Sequence, residues 1–298
     1  MLFLVPLAGL LFVAGPVTGR EWLALLGTLG LSVLWLVRSG GIADQVANAT
    51  AILMTGAFAV LSAADRRSVF TRATWAVMVA VLAVTAWCAI WGIAWTDIEL
   101  ALTRQWWAIC RDLADASRLA SGGDDPGDFL NRLADAGRPL AQLFPARMVV
   151  SGMLGLVLAS RWHERIAGRS LGKPADALGN FRFTDHLVWV LIVAVAVLLL
   201  PNVHLLQNLA DRSPVIDVLL FTVSYWQPAA SNILVICAAL YAARGVAVLS
   251  RFVRPGPAIV LLVIATVFLL PFAFIGLATV GLADTWLNFR RWQTIATP

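Results

Sequence analysis

Long apolar blocks alternate with short polar connections along the 298-residue chain. Read with a window of about 19 residues, the blocks fall at residues 1–17, 22–37, 42–64, 73–95, 148–162, 187–200, 215–243 and 257–281. About 20 apolar helical residues cross a hydrocarbon core of ~30 Å, so the pattern predicts an all-α, polytopic bundle of about eight transmembrane helices. The fifth block is short and is read as starting near Leu140, the sixth as running through Pro201, and the long seventh as breaking, if it breaks, at Pro228. No basic residue precedes the first block and no small-residue cleavage site follows it, which favours a first span over a cleaved leader.

The one long polar stretch, residues 96–146, separates a four-span region (1–95) from a second four-span region (147–298). Within it Ile98, Leu102, Trp106, Ile109, Leu113 and Ala116 recur at helical steps, as do Phe129, Leu133, Ala136, Leu140 and Leu143. Two amphipathic helices are predicted. The punctuation of Ser121-Gly122-Gly123-Asp124-Asp125-Pro126-Gly127 joins them as a hairpin, and its apolar faces, with Trp106 and Trp107, would lie on the membrane surface or on the spans.

Composition agrees with the pattern: 60% of residues are apolar and 13% charged, against about 45–50% and about 25% in soluble domains. A soluble enzyme is excluded. The net charge of +5 sits in the connections, where a positive-inside bias explains it, so nucleic acid is not a predicted partner. Outside the hairpin, twelve Lys and Arg fall on one side (Arg20; Arg66, Arg67, Arg72; Arg161, Arg165, Arg169, Lys173, Arg182; Arg244, Arg251, Arg254). The other side holds Arg38, Arg147, Arg212, Arg290 and Arg291. The arginine-rich side is therefore predicted to be cytoplasmic in a bacterial inner membrane, with the hairpin and both termini outside; the Arg290-Arg291 pair fits poorly.

Motifs of soluble chemistry are incomplete. His163-Glu164-Arg165-Ile166-Ala167 begins like a zinc-binding H-E-x-x-H helix and lacks the second histidine. Asp124, Asp125 and Asp128 have magnesium-binding D-D-x-x-D spacing, but the Gly and Pro residues around them make a turn rather than the helix that such a motif works from. No G-x-S-x-G is present, and Cys88, Cys110 and Cys237 are too few and scattered for a disulfide framework. No catalytic residue, metal site or cofactor is predicted.

Polar groups within or beside spans are more informative, because a charge at mid-bilayer costs roughly 2.5–3.5 kcal/mol on insertion scales. Asp44 and Asn48 share a face at the start of the third block; Asn208 and Asp211 follow the sixth; Asp217, Tyr225 and Asn232 lie in the seventh. The predicted topology brings Asp44, Asn48, Asn208, Asp211 and Asp217 toward the outer face. Trp87, Trp91 and Trp95 form a stripe on the fourth block, with Trp87 deep enough to stack on a ligand or pack against neighbours. The predicted ligand-binding set is Asp44, Asn48, Trp87, Asn208, Asp211, Asp217, Tyr225 and Asn232. Capping and interfacial solvation would account for the same Asp and Asn residues without a ligand.

In the second half, Asn232-Ile233-Leu234-Val235, then Tyr241 and Arg244-Gly245-Val246-Ala247-Val248-Leu249, and the ending Gly281-Leu282-Ala283-Asp284-Thr285-Trp286-Leu287-Asn288-Phe289-Arg290-Arg291 resemble the YybS-like family of bacterial multi-pass inner-membrane proteins. The resemblance covers residues 148–292. That family is distantly similar to the substrate-binding membrane subunits of energy-coupling-factor transporters. The resemblance implies a component that binds a small molecule from outside and works with membrane partners. Eight spans, the outer hairpin and a first span without a small-xxx-small pattern depart from those subunits.

Two functions follow as expectations: a small-molecule binding or transport component, or a structural or regulatory membrane scaffold without transport or catalysis. A cavity of about 300 Å³ or more lined by the polar set would favour the first, and a packed interior the second.

Overall fold

A computed structural model of the chain describes residues 3–38, 40–64, 67–121, 133–174, 181, 183–202, 214–252 and 270–287. All regular structure among them is helical. The chain divides into two compact units, Met1–Ala175 and Asp176–Pro298.

The first unit contains α1 (Leu4–Ala14), α2 (Gly19–Val37), α3 (Ile42–Ala64), α4 (Val69–Ile90), α5 (Trp95–Ser121), α6 (Gly137–Gln142) and α7 (Phe144–Ala167). Local chemistry sets their ends. Gly15, at φ 68°, and Pro16 stop α1. Thr18 caps α2, its hydroxyl oxygen accepting from the Glu21 N–H at 3.3 Å, while the Glu21 carboxylate accepts from the Val17 N–H at 3.0 Å. This is a capping box that reaches one residue further back than usual. Ser68 caps α4 through the Thr71 N–H, and Gly168, at φ 65°, ends α7.

The core of this unit is built from Leu7, Leu10, Leu11, Met54, Phe58, Ala73, Ala76 and Leu156. Glycine lets helices touch closely: a Cβ on Gly9 would lie 2.5 Å from Thr55 Cγ2, and one on Gly152 2.5 Å from Met54 Sδ. Ala73, Ala76 and Ala80 form a fully buried ridge along α4. Four hydroxyls inside the helices donate to their own backbone, Thr28 to Ala24, Ser32 to Thr28, Thr50 to Val46 and Thr55 to Ala51. Outward faces carry Leu23, Leu26, Leu34, Val60 and Leu82, all more than half exposed. Such apolar exteriors fit lipid rather than water.

At one end of the unit, arginines tie the connection after α7 to its neighbours. Arg169 donates to Ala14 O, Gly15 O and Glu21 Oε2. Arg72 is buried; it donates to Leu171 O at 2.9 Å and Lys173 O at 2.7 Å and stacks over Phe58. At the other end Val46, Val84 and Ile98 form a second cluster with Trp87, Leu102 and Phe144.

Helix α2, α3, α4 and α10 (Gln227–Phe252) contain stretches long and apolar enough to cross a membrane, and the bent pair Leu133–Gln142 and Phe144–Ala167 makes a fifth if it is one span. The second unit adds α8 (Leu187–Leu199), a 3₁₀ turn (Leu200–Asn202), α9 (Pro214–Tyr225) and α11 (Leu270–Leu287) around α10.

Several expected boundaries move. The first block is an eleven-residue helix, stopped by Gly15. The fourth helix ends at Ile90, because Gly92 turns the chain at φ 63° and the Asp97 carboxylate caps the Ala94 N–H. Trp95 therefore starts α5, and the Trp87-Trp91-Trp95 stripe is not continuous on one helix. In the 96–146 segment α5 is the predicted first amphipathic helix. The following helix runs from Leu133 and joins α7 through a 69° bend, anchored to α5 by the Trp106 indole N–H donating to Leu133 O at 2.7 Å. The Ser121–Gly127 turn lies, after Ser121, outside the described residues. The seventh block breaks at Trp226, where Pro228 in the first turn of α10 suits a helix start and not a helix interior.

Candidate functional site

The predicted ligand-binding residues divide between the units. In the first, Asp44 accepts from Gln105 Nε2 at 3.3 Å, joining α3 to α5. Asn48 is buried, and its Oδ1 has no hydrogen-bond partner. Trp87 packs into the Val46–Val84–Ile98 cluster. In the second unit Tyr225 is 75% exposed and meets Trp226 edge to face. Asn232 donates to Pro228 O on its own helix at 2.8 Å. Asn208, Asp211 and the side chain of Asp217 lie outside the described residues.

A groove of about 440 Å³ opens between α8 and the start of α10, lined by Trp189, Val193, Ala194, Trp226, Ala230 and Ile233. Its walls are apolar, and none of the predicted polar residues lines it. Among the described residues no group of three His, Cys, Asp or Glu could hold a metal ion.

The polar convergence lies elsewhere, on Arg244. This residue belongs to α10, eight residues before the helix ends, and is 1% exposed; it is part of a helix and not, as the charge count implies, of a connection. Its Nε donates to Asp284 Oδ2 at 2.9 Å, its Nη2 to the Asp284 carbonyl at 3.2 Å, and its Nη1 to Asp185 Oδ1 at 2.9 Å. The Asp284 side chain is 2% exposed and that of Asp185 47%. The guanidinium also stacks on Phe183 at 5.5 Å, and Phe183 meets the Tyr241 ring edge to face at 5.2 Å. The Tyr241 and Thr285 hydroxyl groups are buried and lie beside one another.

Backbone contact makes this knot possible. A Cβ on Gly245 would sit 2.0 Å from Leu277 O, and one on Gly281 1.9 Å from Tyr241 O. With no side chain at either position, α10 and α11 approach backbone to backbone, which brings Asp284 within reach of Arg244. A buried ion pair is held only when its remaining hydrogen bonds are also met, since desolvation costs several kcal/mol per ion. On the cation, Nε and Nη2 are met by a carboxylate oxygen and the main-chain carbonyl of Asp284, and Nη1 by Asp185.

Two signals in the sequence pointed here. The apolar run continues past Arg244 through Gly245-Val246-Ala247-Val248-Leu249, so the arginine is inside the run rather than at its edge. Asp284 follows Gly281 by three residues, one helical turn. Tyr241, Arg244, Gly245, Gly281 and Asp284 are neighbours in space.

Searches against family models, curated proteins and solved structures found no match to the chain.

Proposed function

We propose that the protein is a multi-pass component of the bacterial inner membrane that binds a small molecule, as a transport component does, and performs no catalysis. The observation that carries this reading is the cluster around Arg244. An arginine within a helix apolar enough to span a membrane is costly, and here two carboxylates and an aromatic ring converge on it. Its partners are the lipid bilayer, the small molecule and further membrane subunits. Four long helices and the bent pair as one span support five of the eight crossings; Leu4–Ala14, Leu187–Leu199 and Phe272–Leu287 are apolar but shorter. The meeting of Arg72, Arg169 and Lys173 at one end of the first unit supports a cytoplasmic assignment for that end.

A scaffold without a ligand is favoured by a different observation: Asp44, Trp87 and Asn232 are engaged in internal bonds or packing. Native mass spectrometry of the full chain released from mild detergent separates the two. Binding predicts a retained small-molecule adduct that is lost in Arg244→Lys. Wild-type protein that carries only lipid and detergent would refute it.

A further inference from the structure

The three ties on Arg244 are unequal. Two come from Asp284 on α11, a fully buried partner. The third comes from Asp185, in the non-helical segment ahead of α8, whose side chain is 47% exposed. Asp284 alone neutralises the guanidinium. Asp185 is a second carboxylate on a cation already paired, reached from solvent and borne on a short strap.

We infer that Asp185 is a tethered stand-in for a carboxylate-bearing small molecule, which binds Arg244 Nη1 in its place. The inference rests on the binding reading above and adds the ligand class. Exchange of one carboxylate for another leaves the charge of the knot unchanged, so it avoids the cost of an unpaired buried cation. A planar guanidinium recognises carboxylate oxygens directionally. The same strap carries Phe183, which covers both the guanidinium and the Tyr241 ring. Phe183 and Asp185, two residues apart, thus meet the same guanidinium, one as aromatic cover and one as internal carboxylate. Tyr241 and Thr285, whose hydroxyls are buried beside one another, supply hydrogen bonds for the ligand's other polar atoms.

The test uses the purified full chain in mild detergent, with sodium acetate as the probe and sodium chloride and sodium phosphate at matched ionic strength as controls. Melting temperature is followed through each titration. Asp185→Ala should melt below wild type and recover saturably in acetate, with little response to chloride or phosphate. Wild type, where the tethered carboxylate competes, should need about ten times more acetate for its half-maximal shift. Adding Tyr241→Phe to Asp185→Ala should raise the acetate midpoint without changing the response to chloride. If Asp185→Ala folds only when acetate is present during purification, that also supports the stand-in; failure to fold even then counts against it. The inference is overturned if acetate acts no better than chloride on Asp185→Ala, if wild type and variant share one midpoint, or if phosphate alone restores stability. An Arg244-dependent adduct in wild type together with no acetate response would remove the stand-in and leave the binding function; the reverse result would do the opposite.

Discussion

Substitution of Gly281 by alanine tests the close approach on which the Arg244 knot depends. The added Cβ would lie 1.9 Å from Tyr241 O and 2.8 Å from Gly245 N. A carbon settles against a carbonyl oxygen at about 3.3 Å, so α11 must retreat by about 1.4 Å; a main-chain carbonyl, unlike a side chain, cannot rotate aside. Overpacking of this kind costs about 1–3 kcal/mol. The same retreat stretches the 2.9 Å Arg244–Asp284 bond beyond hydrogen-bond range, and a bond to a charged group contributes about 1.5–3 kcal/mol. The expected loss is therefore about 3 kcal/mol or more. Gly276 on the same helix is the control, because a Cβ there meets nothing within 4 Å; alanine should be neutral or gain up to about 1 kcal/mol from helix propensity. Thermal unfolding in detergent, read by circular dichroism, separates the two variants. Equal melting of Gly281→Ala and Gly276→Ala would refute the backbone contact and, with it, the geometry of the knot.

Arg72→Met removes both bonds to the Leu171 and Lys173 carbonyls, so tryptic cleavage after Arg169 should accelerate several-fold; an unchanged digestion rate would mean that the connection is held by other contacts. Thr18→Ala deletes the α2 cap and should cost about 1 kcal/mol, seen as a lower melting temperature, whereas Thr18→Ser should restore most of it. A cysteine at Ser170 should react with an impermeant maleimide only after the inner membrane is opened; labelling of intact spheroplasts would reverse the proposed orientation. Trp107, half exposed on α5, should, when replaced by a cysteine carrying an environment-sensitive dye, be quenched by brominated lipid if α5 lies on the bilayer. Quenching by aqueous iodide alone would place that face in water.

Hydropathy by itself determined the all-helical class and the long apolar helices, because each lipid-facing segment must meet its backbone bonds internally and so writes its length directly into the chain. It also showed α5, whose stripe from Ile98 to Leu113 repeats at helical spacing. What it left undetermined were the interruption at Gly92 and the bend between α6 and α7. These depend on turn geometry and on what the next helix packs against, as the Trp106–Leu133 bond illustrates. The candidate site was the least legible part. Position along the chain made Arg244 a loop cation and Asp44 a candidate ligand group, since sequence records where a charge falls but not what faces it. Only the backbone contact at Gly245 and Gly281 brought Asp284, forty residues beyond Arg244, to the guanidinium, and only the fold placed Asp185, fifty-nine before it, there as well. Carboxylates that distant in the chain can be gathered around a buried cation only when packed helices hold them there.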